Sequence, residues 1–112
     1  MEVMVRVILL ALLVVSIPGI ALALNGYGSP SVGRDYARSH CADCHAVERG
    51  DLNSPDTLAR PFQEIAETPG MTGMALYAWL MSSHPTMPNL IIESDDMRDV
   101  VAYILSLDQP QR

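Results

Sequence analysis

Residues 41–45, Cys41-Ala42-Asp43-Cys44-His45, contain both cysteines of this 112-residue chain. The C-x-x-C-H spacing is the attachment signature of a c-type haem. Two thiols three residues apart on a helical turn can each form a thioether with one haem vinyl group, and the next residue then projects its imidazole towards the iron. The pentapeptide therefore predicts one covalent haem c, attached through Cys41 and Cys44, with His45 as an axial ligand. Such a cofactor would also complete the core of a small domain, so the motif bears on the fold as well as on the chemistry.

Other uses of the two cysteines stay open at this point. In an exported protein the pair could form a disulfide. A redox-active C-x-x-C resembles the thioredoxin motif, although that motif belongs to a βαβ setting. A zinc site needs about four ligands, and only His40, His45 and His84 could join the cysteines.

The N-terminal segment is predicted to be an export signal. Residues 1–23 contain 18 apolar residues, whereas the much longer segment 24–112 contains 37. The apolar run over 7–17 ends at Pro18-Gly19, and Ala21-Leu22-Ala23 provides the small-x-small pattern that signal peptidases accept. A run of about 7–15 apolar residues before such a site is typical of a secretory signal peptide. We expect cleavage after Ala23 and a periplasmic location, or a membrane anchor if the segment stays uncleaved.

The segment that remains after this signal is small and acidic. Its length allows one domain at most, since domains usually run to about 100–150 residues. The formal net charge is −6, and removing the signal leaves it unchanged because Glu2 and Arg6 cancel. Without a basic patch, neither nucleic acid nor an anionic membrane surface is an expected partner.

Helices joined by proline-rich loops are predicted after the signal. Residues 24–32 are turn-formers and are interpreted as a flexible leader, with Ser31 as a cap for a helix over about 32–41. A helical turn over about 61–67 and a helix over about 72–82 follow. The sequence contains no alternating runs typical of strands and no internal repeat. It therefore predicts an all-α domain over residues 33–108, followed by a short tail over 109–112.

The last predicted helix has the clearest signal. Ser94 is a natural N-cap, and the acidic residues that follow it place negative charge where the helix dipole favours it. Five apolar residues then recur at i, i+3, i+4, i+7 and i+8: Met97, Val100, Val101, Ile104 and Leu105. This is the period of a helix that buries one face.

A second axial ligand is expected from the methionines beyond residue 23, which are Met71, Met74, Met81, Met87 and Met97. Met87 lies in His84-Pro85-Thr86-Met87-Pro88, a loop whose two prolines reduce the entropy lost in fixing a thioether. We expect Met87 to bind the iron, with His84 as the rival ligand. Packing is the expected role of the other four methionines, since flexible thioethers commonly fill cores.

Taken together, these segments resemble the small class I cytochromes c of the bacterial periplasm over residues 33–107. The resemblance rests on 33–37 leading into the C-x-x-C-H motif, on Met87-Pro88 about forty residues later, and on 95–105 near the end. In that family a glycine on the first helix allows a close crossing with the last helix, against an aromatic residue. Gly33 and Tyr103 match those positions, and Tyr36 is the aromatic before the motif. The resemblance implies a cytochrome c fold of three to four helices around one covalent haem.

The resemblance implies further contacts at the haem. In the family, the second ring nitrogen of the proximal histidine bonds a carbonyl in a proline-containing loop, for which Pro55 is the first candidate here and Pro61 the second. Trp79 resembles the aromatic residue that packs near a haem propionate, although a core role is equally compatible with a lone tryptophan. Tyr77 and Arg60 are further candidate propionate partners, and Arg60 could equally be a solvated charge.

The function implied by this resemblance is one-electron transfer rather than catalysis. His/Met ligation leaves no open iron position and raises the reduction potential relative to bis-histidine ligation. We expect a monomeric periplasmic carrier that passes electrons between a dehydrogenase or respiratory complex and a terminal acceptor. The alternatives are a fixed haem subunit of a periplasmic oxidoreductase complex and a haem-based sensor with a displaceable methionine. Since residues 24–112 contain arginines and acids but no lysine, we expect redox partners with a basic or apolar docking face.

Overall fold

The structure is a computed structural model that describes residues 28–83 and 86–109 of the chain. Four α-helices and no strand are found in this part: α1 (Pro30–His40), α2 (Phe62–Ala66), α3 (Gly73–Leu80) and α4 (Ser94–Leu107). The all-α prediction is confirmed. None of the helices within the described ranges has the length and apolar character needed to cross a bilayer. The predicted signal over 1–23, residues 24–27 of the leader, the rival ligand His84 and residues 110–112 of the tail lie outside the described residues.

Helix α1 begins earlier than predicted, and its expected cap is wrong. Pro30 is the first helical residue, where a missing N–H costs nothing and the fixed φ suits the helix. Ser31 therefore lies inside the helix, and Ser29 is the N-cap residue without a side-chain capping bond. Instead, the backbone N–H of Ser29 donates to Asp99 Oδ1 at 2.6 Å. The start of α1 is thus tied to α4, which is distant in sequence.

The other helices begin close to the predicted positions. Pro61 is the N-cap of α2 rather than its first residue. Thr72 caps α3, and its side-chain oxygen accepts the N–H of Ala75 at 3.1 Å. Helix α4 starts at Ser94 with Glu93 as N-cap, so the predicted capping role of Ser94 is wrong by one position.

The core forms around α4. Four of its five predicted stripe residues are buried, and Leu105 is half-buried against them. Met97 is 4% exposed, which confirms its predicted packing role. Tyr103 and Leu107 of α4 are buried with them. The other helices and the segment after the motif complete the cluster with Ala37, Val47, Phe62, Ala66 and Leu76.

Helices α1 and α4 cross at Gly33, as the sequence predicts. A Cβ atom at Gly33 would lie 1.9 Å from the Asp99 carbonyl oxygen and 2.9 Å from the Tyr103 Cβ. Only a residue without a side chain permits this approach. The Tyr103 hydroxyl donates to the Val47 carbonyl at 2.6 Å, so the same crossing also holds the segment that follows the motif.

That segment is also held by charged residues. Glu48 accepts hydrogen bonds from Arg34 at 2.6 Å and from Arg38 at 2.5 Å, and these bonds lower the pKa of its carboxyl. Arg49 donates to the Leu107 carbonyl at 2.8 Å and to the Gln109 carbonyl at 3.0 Å, at the end of α4. No basic residue lies in the last turn of α4, so Arg49 places the cation that the helix dipole favours there. The chain leaving the motif is thereby connected to both long helices.

Candidate haem-attachment site

The C-x-x-C-H motif forms a helical turn directly after α1. Cys41 is the C-cap of that helix, and its N–H donates to the Ala37 carbonyl at 2.9 Å. The Cys41 carbonyl then accepts the N–H of His45 at 2.9 Å and that of Cys44 at 3.2 Å. Both thiols and the imidazole are therefore presented by one turn, which is the local geometry that thioether attachment and axial ligation require.

Both cysteines are free and half-buried. Cys41 packs against the core, and this burial raises the pKa of its thiol to about 11. A redox-active C-x-x-C depends on a lowered thiol pKa, because the thiolate is the nucleophile. The environment of Cys41 raises its thiol pKa, which is the opposite of what a redox-active cysteine needs. Within residues 28–83 and 86–109, no three His, Cys, Asp or Glu side chains come together in a group that could hold a metal ion.

His45 is oriented by a backbone carbonyl. Its Nδ1 lies 2.7 Å from the carbonyl oxygen of Arg60. Because a carbonyl only accepts, Nδ1 carries the hydrogen, and the lone pair of the neutral ring is on Nε2. The other ring nitrogen of a metal-binding histidine commonly makes this kind of bond, which sets the tautomer and raises the basicity of the ligand. The sequence-based candidates, Pro55 first and Pro61 second, are both wrong, since the carbonyl belongs to the residue before Pro61.

Phe62 completes the surroundings of the imidazole. Its ring is 4% exposed, and its centroid lies 5.3 Å from that of His45 with an interplanar angle of 51°. Sequence reasoning missed this residue, although its position directly after Pro61 and at the start of α2 was a usable signal. Its packing limits rotation of the imidazole.

The methionines differ from the expectation in two places. Met71 packs against the core as predicted. Met74 and Met81 are 84% and 68% exposed, so the packing predicted for them is wrong. Met87 is half-buried in a turn that follows Thr86, whose φ of 73° is unusual for a β-branched residue. Iron ligation by Met87 stays a prediction.

The residues suggested as propionate partners lie at the surface. Trp79 is 61% exposed and Tyr77 is 38% exposed, so Trp79 is not a core residue. The Arg60 guanidinium is 3.3 Å from the Glu64 carbonyl and 3.8 Å from the carboxylate of the same residue. Its charge is therefore directed along α2.

The large exposed apolar side chains are concentrated in two segments. Leu52 and Leu58 lie between the motif and α2. Met74, Tyr77 and Trp79 lie on α3, and Met81, Leu90 and Ile91 lie between α3 and α4; Val32 on α1 is the exception. The two free thiols and the oriented imidazole, presented by one turn, are a donor set that fits a haem.

No protein-family model, no curated protein and no solved structure matches this chain. The fold and the site together define an all-α chain whose first long helix ends in a C-x-x-C-H turn. The histidine of that turn is held through Nδ1 by a distant carbonyl.

Proposed function

We propose that this chain is a monohaem c-type cytochrome of the periplasm that carries single electrons. The observation that supports it most is the bond from His45 Nδ1 to the Arg60 carbonyl, which leaves Nε2 with the lone pair. This histidine directly follows two half-buried free thiols. A haem bound here would supply a site that accepts and releases one electron.

The roles of the chain's own residues follow from this proposal. The Cys41 and Cys44 sulfurs would hold the haem covalently, and His45 Nε2 would bind its iron. The Arg60 carbonyl holds the hydrogen on Nδ1 and fixes the ring plane. Val47 and Phe62 are buried in the chain that follows the motif and exclude water there. Such exclusion is one of the means by which a protein sets a haem potential.

Met87 is proposed as the second axial ligand. It lies between Thr86, whose backbone has a positive φ, and Pro88, whose φ is fixed by its ring. A turn restricted in this way presents a thioether with little entropy to lose. If His45 and Met87 both bound the iron, no position would be open to a substrate, and this favours a carrier over a catalyst.

The surface of α3 supports an apolar docking face for the redox partner. Met74, Tyr77, Ala78 and Met81 recur at i, i+3, i+4 and i+7, and all four are exposed. Residues 68–92 contain no Asp, Glu, Lys or Arg. An uncharged, methionine-rich face suits an uncharged surface on the partner. Basic residues around that surface of the partner would complement the net charge of −6 on this chain. The same surface favours the second candidate function, a fixed haem subunit of a periplasmic oxidoreductase complex.

The proposal is tested on the protein exported by a bacterial host that attaches haem to proteins. We expect the haem to remain with the polypeptide after denaturation and acid–acetone extraction, and to be absent from the Cys41→Ala, Cys44→Ala double variant. Wild-type protein that is purified from this host and carries no haem would contradict the proposal.

The second ligand is tested by the spectrum of the oxidised protein. Met87→Ala should abolish the methionine–iron charge-transfer band, and Met81→Ala, a change at an exposed thioether, serves as the matched control. Loss of the band in Met81→Ala alone would transfer the ligand role to Met81.

A further inference from the structure

A loop folds back over the motif and is held there by hydrogen bonds. The Asp56 N–H donates to the Cys44 carbonyl at 3.1 Å, and the Phe62 N–H donates to the Ala46 carbonyl at 2.9 Å. The Ser54 hydroxyl accepts the N–H of Ala46 at 3.0 Å. Residues 54–62 therefore run beside residues 44–46, and the Arg60 carbonyl that holds His45 belongs to this same stretch.

Among these bonds, only that of Ser54 joins a side chain of the loop to the backbone beside the motif, at Ala46. Two of the other bonds join backbone to backbone, and the third joins His45 to a backbone carbonyl. Ser54 is half-buried and Ala46 is 3% exposed. An Ala46 amide without the hydroxyl would be left poorly solvated, and an unpaired buried N–H is costly. The loop would have to move to satisfy it.

We propose that Ser54 is a positioning residue for His45. Its hydroxyl fixes the amide of the residue that follows His45, and this contact anchors the N-terminal end of the loop that delivers the Arg60 carbonyl. The bond to that carbonyl makes the imidazole a stronger donor. Ser54 thereby adjusts the ligand strength of a histidine that it does not contact. The consequence for the reduction potential rests on the proposed function, whereas the hydrogen-bond geometry does not.

The test compares Ser54→Ala with wild type in the purified, reduced protein. We expect the His45 Nδ1–H, followed by nitrogen-15 NMR, to exchange with solvent about tenfold faster, the change produced by losing one hydrogen bond of ordinary strength. We also expect the midpoint potential to rise, because a weaker imidazole donor stabilises the oxidised iron less. Ser54→Thr retains the hydroxyl and should restore both values.

Ser39→Ala is the matched control, because it removes an exposed hydroxyl that donates to the Asp35 carbonyl at 2.9 Å within α1. It should change neither the exchange rate nor the potential. Unchanged Nδ1–H exchange in Ser54→Ala would overturn the positioning role, as would a change that Ser54→Thr fails to reverse. If the purified chain holds no haem, the proposed function fails, while the exchange measurement still decides the role of Ser54.

Discussion

The crossing of α1 and α4 predicts a large penalty for Gly33→Ala. The added Cβ would lie 1.9 Å from the Asp99 carbonyl oxygen and 2.4 Å from the carbonyl carbon. Both are backbone atoms, so no side-chain rotation can relieve the contact. The helices must separate by more than 1 Å to reach an ordinary contact of about 3.4 Å. Separation would also strain the bond from the Tyr103 hydroxyl to the Val47 carbonyl.

Overpacking of this kind costs about 1–3 kcal/mol of unfolding free energy. For a domain of this size each kcal/mol lowers Tm by about 4–8 °C, so a decrease of about 4–24 °C is expected. Thermal and urea unfolding of the purified protein, followed by far-UV circular dichroism, would measure it. The denaturant midpoint should fall without a change in m, since the exposed area on unfolding is similar.

Gly73→Ala provides the matched control. Its Cβ would lie 3.4 Å from Val101 Cγ1 and 3.5 Å from Leu105 Cδ1, which are the ends of flexible side chains. Alanine is favoured over glycine by about 1 kcal/mol in a helix interior, and part of this gain applies at Gly73, the first residue of α3. This variant should match or exceed wild-type stability. If Gly33→Ala were as stable as wild type within about 0.5 kcal/mol, the close crossing of the two helices would be refuted.

Three further predictions concern the chain around the motif. Arg49→Ala should lower the unfolding free energy by about 1–2 kcal/mol by removing the cation from the end of α4, and equal urea midpoints would contradict this. Hydrogen bonds from Arg34, and to a smaller extent from Arg38, lower the pKa of Glu48. The stability that these pairs contribute is therefore fully present above the ordinary glutamate pKa of about 4.3. It is lost as the pH falls through the lower pKa of the folded state. Glu48→Gln should therefore flatten the loss of stability measured between about pH 5 and pH 3. The thiol pKa of Cys41 is raised to about 11. In folded chain made without haem attachment, Cys41 should therefore react with iodoacetamide at neutral pH about a hundredfold more slowly than in the same chain unfolded in urea. Equal rates would show that the thiol is not buried.

The local sequence pattern was sufficient to predict a helix and its buried side where one face is apolar and the other polar. The stripe of α4 repeats with the helical period behind an acidic first turn, so its start was predicted to within one residue and its burial correctly. The close crossing at Gly33 was expected from the family resemblance over residues 33–107, and it agrees with the close backbone approach that a residue without Cβ permits. The motif itself is five consecutive residues, and its helical turn needs no distant contact.

Helix α3 shows where local pattern fails. Its sequence Gly-Met-Ala-Leu-Tyr-Ala-Trp-Leu has no polar residue, and therefore no period that separates a buried face from an exposed one. The prediction that Met74 packs was wrong for this reason, and Trp79 proved to be exposed. Which face turns inward is decided by α4, whose Val101 and Leu105 lie beside Gly73.

The spacing of the cysteines and histidine, the helical period and the charge are properties of the amino-acid sequence itself. The C-x-x-C-H motif, the all-α class and the acidic character therefore follow from the order of the amino acids. The identity of the carbonyl that holds His45 does not follow from that order. Pro55 and Pro61 each offered a plausible loop, and the bond is made by Arg60, fifteen residues from the histidine. Its position depends on how the chain returns after Gly50, and that path is settled by Ser54, the buried ring of Phe62 and the anchoring of Glu48 and Arg49 on the long helices. Contacts of this range depend on how the helices pack, so no local pattern in the sequence specifies them.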